Sequence, residues 1–210
     1  VAKRAELVRG LMCTLLAPDG LVLLIEPGLR ETSRDLLALR DALLAPPSTA
    51  GRAPVESLAV CAPCLTSGPC PALVKASDWC HEARLYEVPP ALRELSDCMG
   101  TDNRRLVFSY LAIRRAGTAA LPEPTADVVF RLVSAPLVEK GKRVIWGCGA
   151  FGRLRLVRLD RDACDANRAF AELDRGDRVV LRPPPGAELE IRGDGLRIGP
   201  GVRVEPVTGP

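Results

Sequence analysis

The fold is indicated most clearly by the stretch at residues 21–28, which reads Leu-Val-Leu-Leu-Ile-Glu-Pro-Gly. Its first five residues form a short, continuous apolar run, which is typical of a strand buried on both faces of a parallel sheet. The Glu-Pro-Gly that follows is typical of a strand end. We therefore expect a buried strand over residues 21–25.

Helical patterns flank this strand on both sides. Residues 4–16 repeat apolar side chains at helical spacing, and a Pro-Asp-Gly turn at 18–20 separates that helix from the strand. Residues 30–45 predict a second helix with leucines along one face. The apolar positions are Leu7, Val8, Leu11, Met12 and Leu15 in the first helix and Leu36, Leu39 and Leu43 in the second. Helix, turn, buried strand and helix in this order favour an α/β doubly wound sheet.

The rest of the chain suggests two further parts. Residues 46–57 are rich in Pro, Ser, Ala and Gly and predict an exposed loop. A cysteine segment, a short helix and a strand follow at 58–81, 89–98 and 105–114. The last third predicts a β-rich, barrel-like module with one helix and six short strands, near 161–174 and near 128–134, 142–148, 153–159, 178–182, 187–192 and 202–206. We expect three units, at 1–57, 58–126 and 127–210.

Composition sets only broad limits on function. The chain has 210 residues, 47% of them apolar and 26% charged, which is ordinary for a globular protein. The net charge of +3 is too small to predict a polyanionic partner by itself. Among 29 basic residues only four are lysines, which fits a GC-rich genome as well as selection for phosphate-binding guanidinium groups. No stretch of 18 apolar residues predicts a membrane span, and no signal peptide opens the chain.

Eight cysteines and one histidine point to a metal or cluster site. With His81 as the single histidine, catalytic triads and multi-histidine metal sites are disfavoured. Five residues separate Cys64 from Cys70, and nine separate Cys70 from Cys80. A fourth ligand would come from far along the chain, and Cys148 between two glycines at a predicted strand end is the candidate.

Spacing alone leaves two other interpretations open. Cys61 and Cys64 have zinc-like spacing, so they could form a tetrahedral zinc site with Cys70 and Cys80, or with His81 in place of one cysteine. Alternatively, the cysteines are small buried apolar residues. That interpretation suits Cys13 and Cys164, each on a predicted helix, and leaves Cys98 undecided.

Four stretches together resemble a known family. They are residues 23–28 with 36–41, residues 62–71, residues 78–81 and residues 108–111. In this order and spacing they are similar to the methyltransferase-like proteins of the mitochondrial small ribosomal subunit, a family with bacterial relatives. The resemblance covers about residues 5–160.

The resemblance implies a fold and a cofactor. The fold would be the C-terminal part of a class I methyltransferase-like, Rossmann-like sheet, with a cysteine-rich cluster loop and a small β-rich C-terminal module. Residues 1–57 would be the rear half of the methyltransferase-like domain, and 58–126 the cluster insert with a return strand. The cofactor would be a [4Fe-4S] cluster on Cys64, Cys70, Cys80 and Cys148, which favours iron over zinc and leaves Cys61 without a role.

The chain departs from the family in two places. Leu65 and Thr66 follow Cys64, where the family has Pro and His. The front half of the methyltransferase domain, with its glycine-rich turn for S-adenosylmethionine, is missing. The one Gly-x-Gly match, at 147–149, lies in the β-rich part. We therefore expect no S-adenosylmethionine binding by this chain alone, no catalytic residues, and a partner chain or segment that supplies the front half.

The resemblance implies a component or assembly factor of the small ribosomal subunit, in the mitochondrial matrix or, alternatively, the bacterial cytoplasm. Its partners would be small-subunit rRNA and ribosomal proteins. The candidate phosphate contacts are Arg104, Arg105, Arg114, Arg115, Arg153, Arg155 and Arg158, with Arg161 nearby. Two alternatives are half of an active S-adenosylmethionine-dependent rRNA methyltransferase and a zinc-binding structural module.

Overall fold

A computed structural model describes residues 1–45, 57–101, 104–117 and 128–207. These residues form a mixed α/β fold with three α-helices and two sheets. The helices are α1 (Ala2–Thr14), α2 (Arg30–Leu44) and α3 (Pro90–Met99). The first sheet contains β1 (Val22–Pro27), β2 (Leu58–Ala62), β3 (Glu82–Leu85) and β4 (Arg105–Arg115).

The long strand β4 organises the first sheet. Strand β1 pairs with one edge of β4, and the residue registers place β2 and β3 along its other edge. All three pairings are antiparallel, so β1 and β2 run parallel to each other with β4 reversed between them. The cysteine segment therefore connects two strands, β2 and β3, that pair with the same edge of β4. Strands from the predicted units 1–57 and 58–126 thus belong to one sheet.

The predicted strand at 21–25 is present, but its surroundings differ from the prediction. It pairs antiparallel with β4, and Leu23 and Ile25 are 52% and 60% exposed. Helices α1 and α2 pack on one face of the sheet, while no described residue covers these two side chains on the other face. Hence the prediction of a parallel strand buried on both faces is wrong for the part of the chain described here.

Helix α1 shows why periodicity alone misjudged the packing. Its buried side chains are Ala5, Val8 and Met12, which pack with Leu36, Leu39 and Leu43 of α2 and with Leu111 and Ile113 of β4. Leu7, Leu11 and Leu15 are exposed on a second stripe. The helix therefore has two apolar stripes, and the prediction of one shared buried face is wrong.

The second sheet has the strand order β10-β11-β8-β7-β5-β9-β12, with β6 beside β7. Its core packs Phe130, Ile145, Leu156 and Leu181, all fully buried. The path has two ends, so the described strands form an open sheet and not a closed barrel. The strands are β5 (Val128–Leu132), β6 (Leu137–Glu139), β7 (Lys142–Gly149), β8 (Gly152–Leu159), β9 (Arg178–Arg182), β10 (Ile191–Arg192), β11 (Gly195–Arg197) and β12 (Arg203–Pro206).

Five of the six strands predicted in the last third are present with bounds close to those predicted, and the sixth is shortened to β10. The helix predicted near 161–174 is wrong, because short 3₁₀ turns occupy Asp160–Asp162 and Asp165–Ala171. The Asn167 side chain accepts from the Cys164 N–H and donates to the Asp162 carbonyl. Such local side-chain bonds compete with a continuous helix.

Two predicted features lie outside the described residues: almost all of the loop at 46–57, and the boundary between 126 and 127. Among the helices of the described ranges, none is long and apolar enough to cross a membrane.

Candidate metal centre

Four cysteines that are far apart in sequence line one cavity. They are Cys64 after β2, Cys70 before a 3₁₀ turn at Pro71–Leu73, Cys80 before β3, and Cys148 on β7. Cys70 is buried and the other three are partly buried. The cavity is partly open to solvent. The structure therefore places around one cavity the four cysteines that the resemblance implied as ligands.

Helix α2 positions the loop from Cys64 to Cys70. The Arg40 side chain is only 2% exposed, and its guanidinium donates to the carbonyls of Thr66 and, at 2.8 Å, Gly68. The adjacent Asp41 accepts a hydrogen bond from the Cys70 N–H at 2.9 Å. A buried charge needs hydrogen-bond partners, and here the loop carbonyls and Asp41 accept from the two terminal nitrogens of Arg40, while its Nε has no partner among the described atoms.

The same helix positions the next loop through Arg34. Its Nη1 donates to the carbonyls of Ala72, Lys75 and Asp78, at 3.1, 2.8 and 2.6 Å. Arg34 and Asp41 are seven residues apart, so they lie two turns apart on one face of α2. One helix face thus fixes the backbone on both sides of Cys70.

Strand β4 and the second sheet position Cys80. Its carbonyl accepts from Ser109 Oγ at 3.0 Å, and Ser109 is hydrogen-bonded to Ser33 of α2 at 2.5 Å. The Nη1 of Arg131 lies 3.8 Å from Cys80 Sγ. Arg131 on β5 is the register partner of Cys148 on β7, so both side chains lie on the same face of the second sheet.

Arginines of the second sheet hold it against the cysteine loops. Buried Arg131 forms an ion pair with buried Glu82, and Arg153 pairs with Asp78 at 2.6 Å. Arg175 donates to the carbonyl of His81 at 3.2 Å and to that of Val133 at 2.8 Å. These contacts join β3 and the residues before it to the second sheet, and so place Cys148 beside the other cysteines.

Glycines let β7 approach β5 closely beside Cys148. A side chain at Gly149 would collide with the Val129 carbonyl, and one at Gly147 would come within 3.1 Å of Phe130. The Gly-x-Gly match at 147–149 therefore serves sheet packing, and lies in a strand and not in a strand-to-helix turn.

Burial and neighbouring sulfurs keep the free thiols protonated. Burial raises the pKa of Cys70 to about 11 and that of Cys148 to about 12, and the neighbouring thiols add to the effect. Burial also raises the pKa of Cys64, although Arg40 opposes this. The thiols would therefore release protons on binding a metal or cluster, and the buried arginines offset the charge of the thiolates.

The described side chains do not form a site for a single metal ion. Among the residues described, no three Cys, His, Asp or Glu side chains are placed so that they could hold one metal ion. Cys61 is exposed and does not line the cavity. His81 lies beside a neighbouring cavity, and burial lowers its pKa to about 4, with a contribution from Arg175. The four cysteines line one cavity.

The four remaining cysteines are all exposed: Cys13, Cys61, Cys98 and Cys164. The interpretation of Cys13 and Cys164 as small buried apolar residues is therefore wrong. Cys13 lies outside the buried stripe of α1, and Cys164 precedes a 3₁₀ turn and is not within a helix. Backbone hydrogen bonds, the strongest from Gly201, lower the pKa of Cys164.

The arginines predicted to contact rRNA do not form one patch. Arg104 and Arg105 are exposed at the start of β4, whereas Arg114 and Arg115 lie at its other end, about 30 Å away along an extended strand. Arg115 donates to the carbonyls of Met12, Leu16 and Ala17 near the end of α1. Its guanidinium therefore holds α1 against β4.

The arginines of β8 have separate environments. Arg153 is ion-paired to Asp78, lies 5.0 Å from the Trp146 ring centre and lines the cysteine cavity. Arg158 donates to the Asn167 carbonyl at 3.0 Å and lies over Phe170. Arg155 is exposed and pairs with Asp194 at 2.6 Å, and Arg161 is exposed. Alternation along the strand puts Arg153 and Arg155 on one face and Arg158 on the other.

Sequence reasoning missed the residues that position the cysteines, namely Arg34, Arg40, Asp41, Glu82, Arg131 and Arg175. One signal was present: the resemblance at 36–41 includes both Arg40 and Asp41. Nothing in spacing could show that Arg131 faces Cys80, because the contact depends on how the two sheets meet.

No curated protein matches the chain. The model of one protein family, the mitochondrial small ribosomal subunit protein Rsm22, matches residues 2–179. The match spans both sheets from α1 to the start of β9 and includes all four cavity cysteines. The chain therefore belongs to the Rsm22 family of the mitochondrial small ribosomal subunit.

Proposed function

We propose that this chain is a component or assembly factor of the mitochondrial small ribosomal subunit, held together by a structural [4Fe-4S] cluster. The observation that carries the proposal is the cavity shared by Cys64, Cys70, Cys80 and Cys148. Three of these cysteines come from the first sheet's loops and one comes from the second sheet. A cluster held by them would cross-link the two sheets.

The cavity suits a cluster better than a single zinc ion. A cuboidal cluster takes four separated thiolates, whereas zinc needs its ligands at about 2.3 Å from one point. The described residues offer four thiols around a space and no such convergence on one ion. When bound, the cluster supplies four iron sites that accept the four thiolates.

The chain's own residues would support such a cluster by charge and by exclusion of water. Arg40 and Arg131 are buried next to Cys64 and Cys80 and offset the negative charge of thiolate ligands. Leu37, Pro63 and Val133 line the remaining wall with apolar surface. The positive charge of the arginines and the exclusion of water by the apolar wall both suit a buried anionic group.

The cluster would act as a cross-link and not as a catalyst. Because Cys80 and Cys148 are far apart in sequence, joining them closes a long loop and restricts the unfolded chain. The Arg131–Glu82 and Arg153–Asp78 ion pairs lie at the same junction. Cluster loss should therefore loosen the contact between the sheets.

We further propose that the first sheet is the rear part of a methyltransferase-like, Rossmann-like sheet. The reversed strand β4 between mutually parallel β1 and β2 supports this assignment. Among the described residues, β1 has a free edge, Leu23 and Ile25 are exposed on one face of the sheet, and a leucine stripe of α1 is exposed on the other side. A segment or second chain carrying the front half would pair with the free edge and cover exposed apolar side chains beside it. We propose no S-adenosylmethionine binding and no catalysis by this chain alone.

Binding to rRNA is proposed for the exposed arginines, with the mitochondrial matrix as the location. Arg104, Arg105, Arg155 and Arg161 are exposed, whereas Arg115 and Arg153 are engaged within the fold. Reversing Arg155 and Arg161 to glutamate should weaken small-subunit binding, leave the iron content unchanged and make the salt dependence shallower. Unchanged binding would show that Arg155 and Arg161 are not part of the interface.

Chemical analysis after anaerobic purification tests the cluster. We expect about four irons and four acid-labile sulfides per chain. Cys64→Ser, Cys70→Ser, Cys80→Ser and Cys148→Ser should each lose the cluster, whereas the matched Cys13→Ser and Cys164→Ser variants should keep it. One zinc per chain with no sulfide would contradict the proposal and favour the zinc module. Full iron in Cys148→Ser would show that the fourth ligand is a different residue.

A further inference from the structure

Two side chains in the wall of the cysteine cavity, Trp79 and Arg153, have buried nitrogens without a hydrogen bond. Arg153 is ion-paired with Asp78, whereas no ion pair compensates the neutral indole of Trp79. Trp79 lines the cavity, and its indole Nε1 is shielded from solvent without a hydrogen bond to any described atom. A buried N–H without an acceptor is costly, so native structures usually provide one. The acceptor for Trp79 is therefore expected to come from whatever the cavity holds.

Contacts on both sides hold the Trp79 ring in place. The ring stacks on His81, with centres 5.7 Å apart and planes at 22°. At the preceding residue, the Asp78 carboxylate pairs with Arg153 and the Asp78 carbonyl accepts a hydrogen bond from Arg34. On the C-terminal side, the His81 carbonyl accepts from Arg175. The indole is thus fixed by its neighbours in both directions along the chain.

The side chains of the cavity wall narrow the choice of acceptor. Apart from Trp79, they are aliphatic residues, prolines, two arginines and the four cysteines. Arginine only donates hydrogen bonds, and the aliphatic side chains and prolines offer no side-chain acceptor. Sulfur is thus the only acceptor that the side chains around the cavity supply.

We infer that the Trp79 indole N–H donates a hydrogen bond to a sulfur in this cavity, either a sulfide of the cluster or a cysteine thiolate. This inference rests on the proposed cluster. A one-electron reduction adds negative charge to the sulfurs, so a donor stabilises the reduced state more than the oxidised state. Trp79 is then a positioning residue that raises the reduction potential of the cluster.

A matched pair of variants tests the effect on potential. The protein has two tryptophans, and Trp146 does not line the cavity. Trp79→Phe keeps the ring and removes the donor, and Trp146→Phe is the control. With dithionite as reductant, we expect both variants to keep iron and sulfide, and only Trp79→Phe to shift to a more negative midpoint potential. Equal potentials in Trp79→Phe and wild type would overturn the inference.

A second measurement needs no change at Trp79. Trp146→Phe protein grown with indole-¹⁵N tryptophan carries the label only at Trp79. After dithionite reduction, pulsed electron paramagnetic resonance should detect a ¹⁵N coupling to the cluster, and a reduced cluster without that coupling would overturn the inference. This measurement tests the hydrogen bond from Trp79 even if the Trp79→Phe variant loses its cluster. Wild-type protein without iron and sulfide would instead refute the proposed function, and the inference with it.

Discussion

The two sheets differ in how completely they bury their apolar residues. In the second sheet, Phe130, Ile145 and Leu156 are fully buried within the chain. In the first, Leu23 and Ile25 lie uncovered beside a free strand edge. The second sheet therefore has a complete core of its own. The first packs against the α1–α2 layer and contacts the second sheet, and it leaves apolar side chains exposed on its other face.

The largest expected effect comes from breaking the junction between the sheets. Arg131→Met removes the buried partner of Glu82 and leaves only the more exposed Arg84, at 3.3 Å, which should lower the free energy of unfolding by up to about 3–5 kcal/mol. The control Arg155→Met removes an exposed pair with Asp194 and should cost less than about 1 kcal/mol. Urea denaturation followed by circular dichroism measures both.

Equal, small losses in the two variants would show that the junction does not depend on the buried pair. Adding Glu82→Gln to Arg131→Met should recover part of the loss, because it removes the charge that has lost its buried partner. Iron analysis of each variant separates direct loss of the ion pair from loss of the cluster.

A matched pair of leucines compares the two sheets directly. Leu156→Ala truncates a fully buried side chain and should cost about 2–5 kcal/mol. Leu23→Ala truncates a half-exposed side chain and should change stability by less than about 0.5 kcal/mol. Thermal and urea unfolding of the isolated chain measure the contrast. Similar losses would mean that the face of β1 is buried after all, for example by self-association.

The smallest effect on stability is expected from Ile25→Lys. The same substitution should have the clearest effect on association. Because its side chain is 60% exposed, Ile25→Lys should leave the unfolding free energy within about 0.5 kcal/mol of wild type. The added charge should reduce self-association of the isolated chain in sedimentation velocity. The same variant should weaken binding of a segment or chain that covers this face. Unchanged association would argue against an interface there.

Sequence reasoning predicted most elements and singled out the four cysteines that line the cavity, and it failed where long-range packing determines the structure. The apolar run at 21–25 gave the strand but not its direction, because a short apolar run carries no pairing information. The stripes of α1 look alike in sequence, although only the one with Val8 meets α2. Cysteine spacing did not distinguish a cluster site from a zinc site, and only the family resemblance favoured the cluster.

Arginine was the residue type most easily misjudged. Arg115 and Arg153 look like phosphate contacts in the sequence, yet their partners are carbonyls at the end of α1 and the Asp78 carboxylate. Those partners lie far away in sequence and become neighbours only in the folded chain. Arg40 is buried on a helix that periodicity assigned to leucine packing, and loop carbonyls and Asp41 bind its terminal nitrogens.

Native mass spectrometry of anaerobically purified protein tests the central claim most directly, namely that one cluster is held by cysteines of both sheets. We expect wild-type protein and Cys164→Ser to carry the added mass of four irons and four sulfides. Cys148→Ser, altered only on the second sheet, should lose that mass and become sensitive to limited proteolysis between the sheets. Wild-type protein that carries a single zinc, or Cys148→Ser that retains the full cluster mass, would contradict the account.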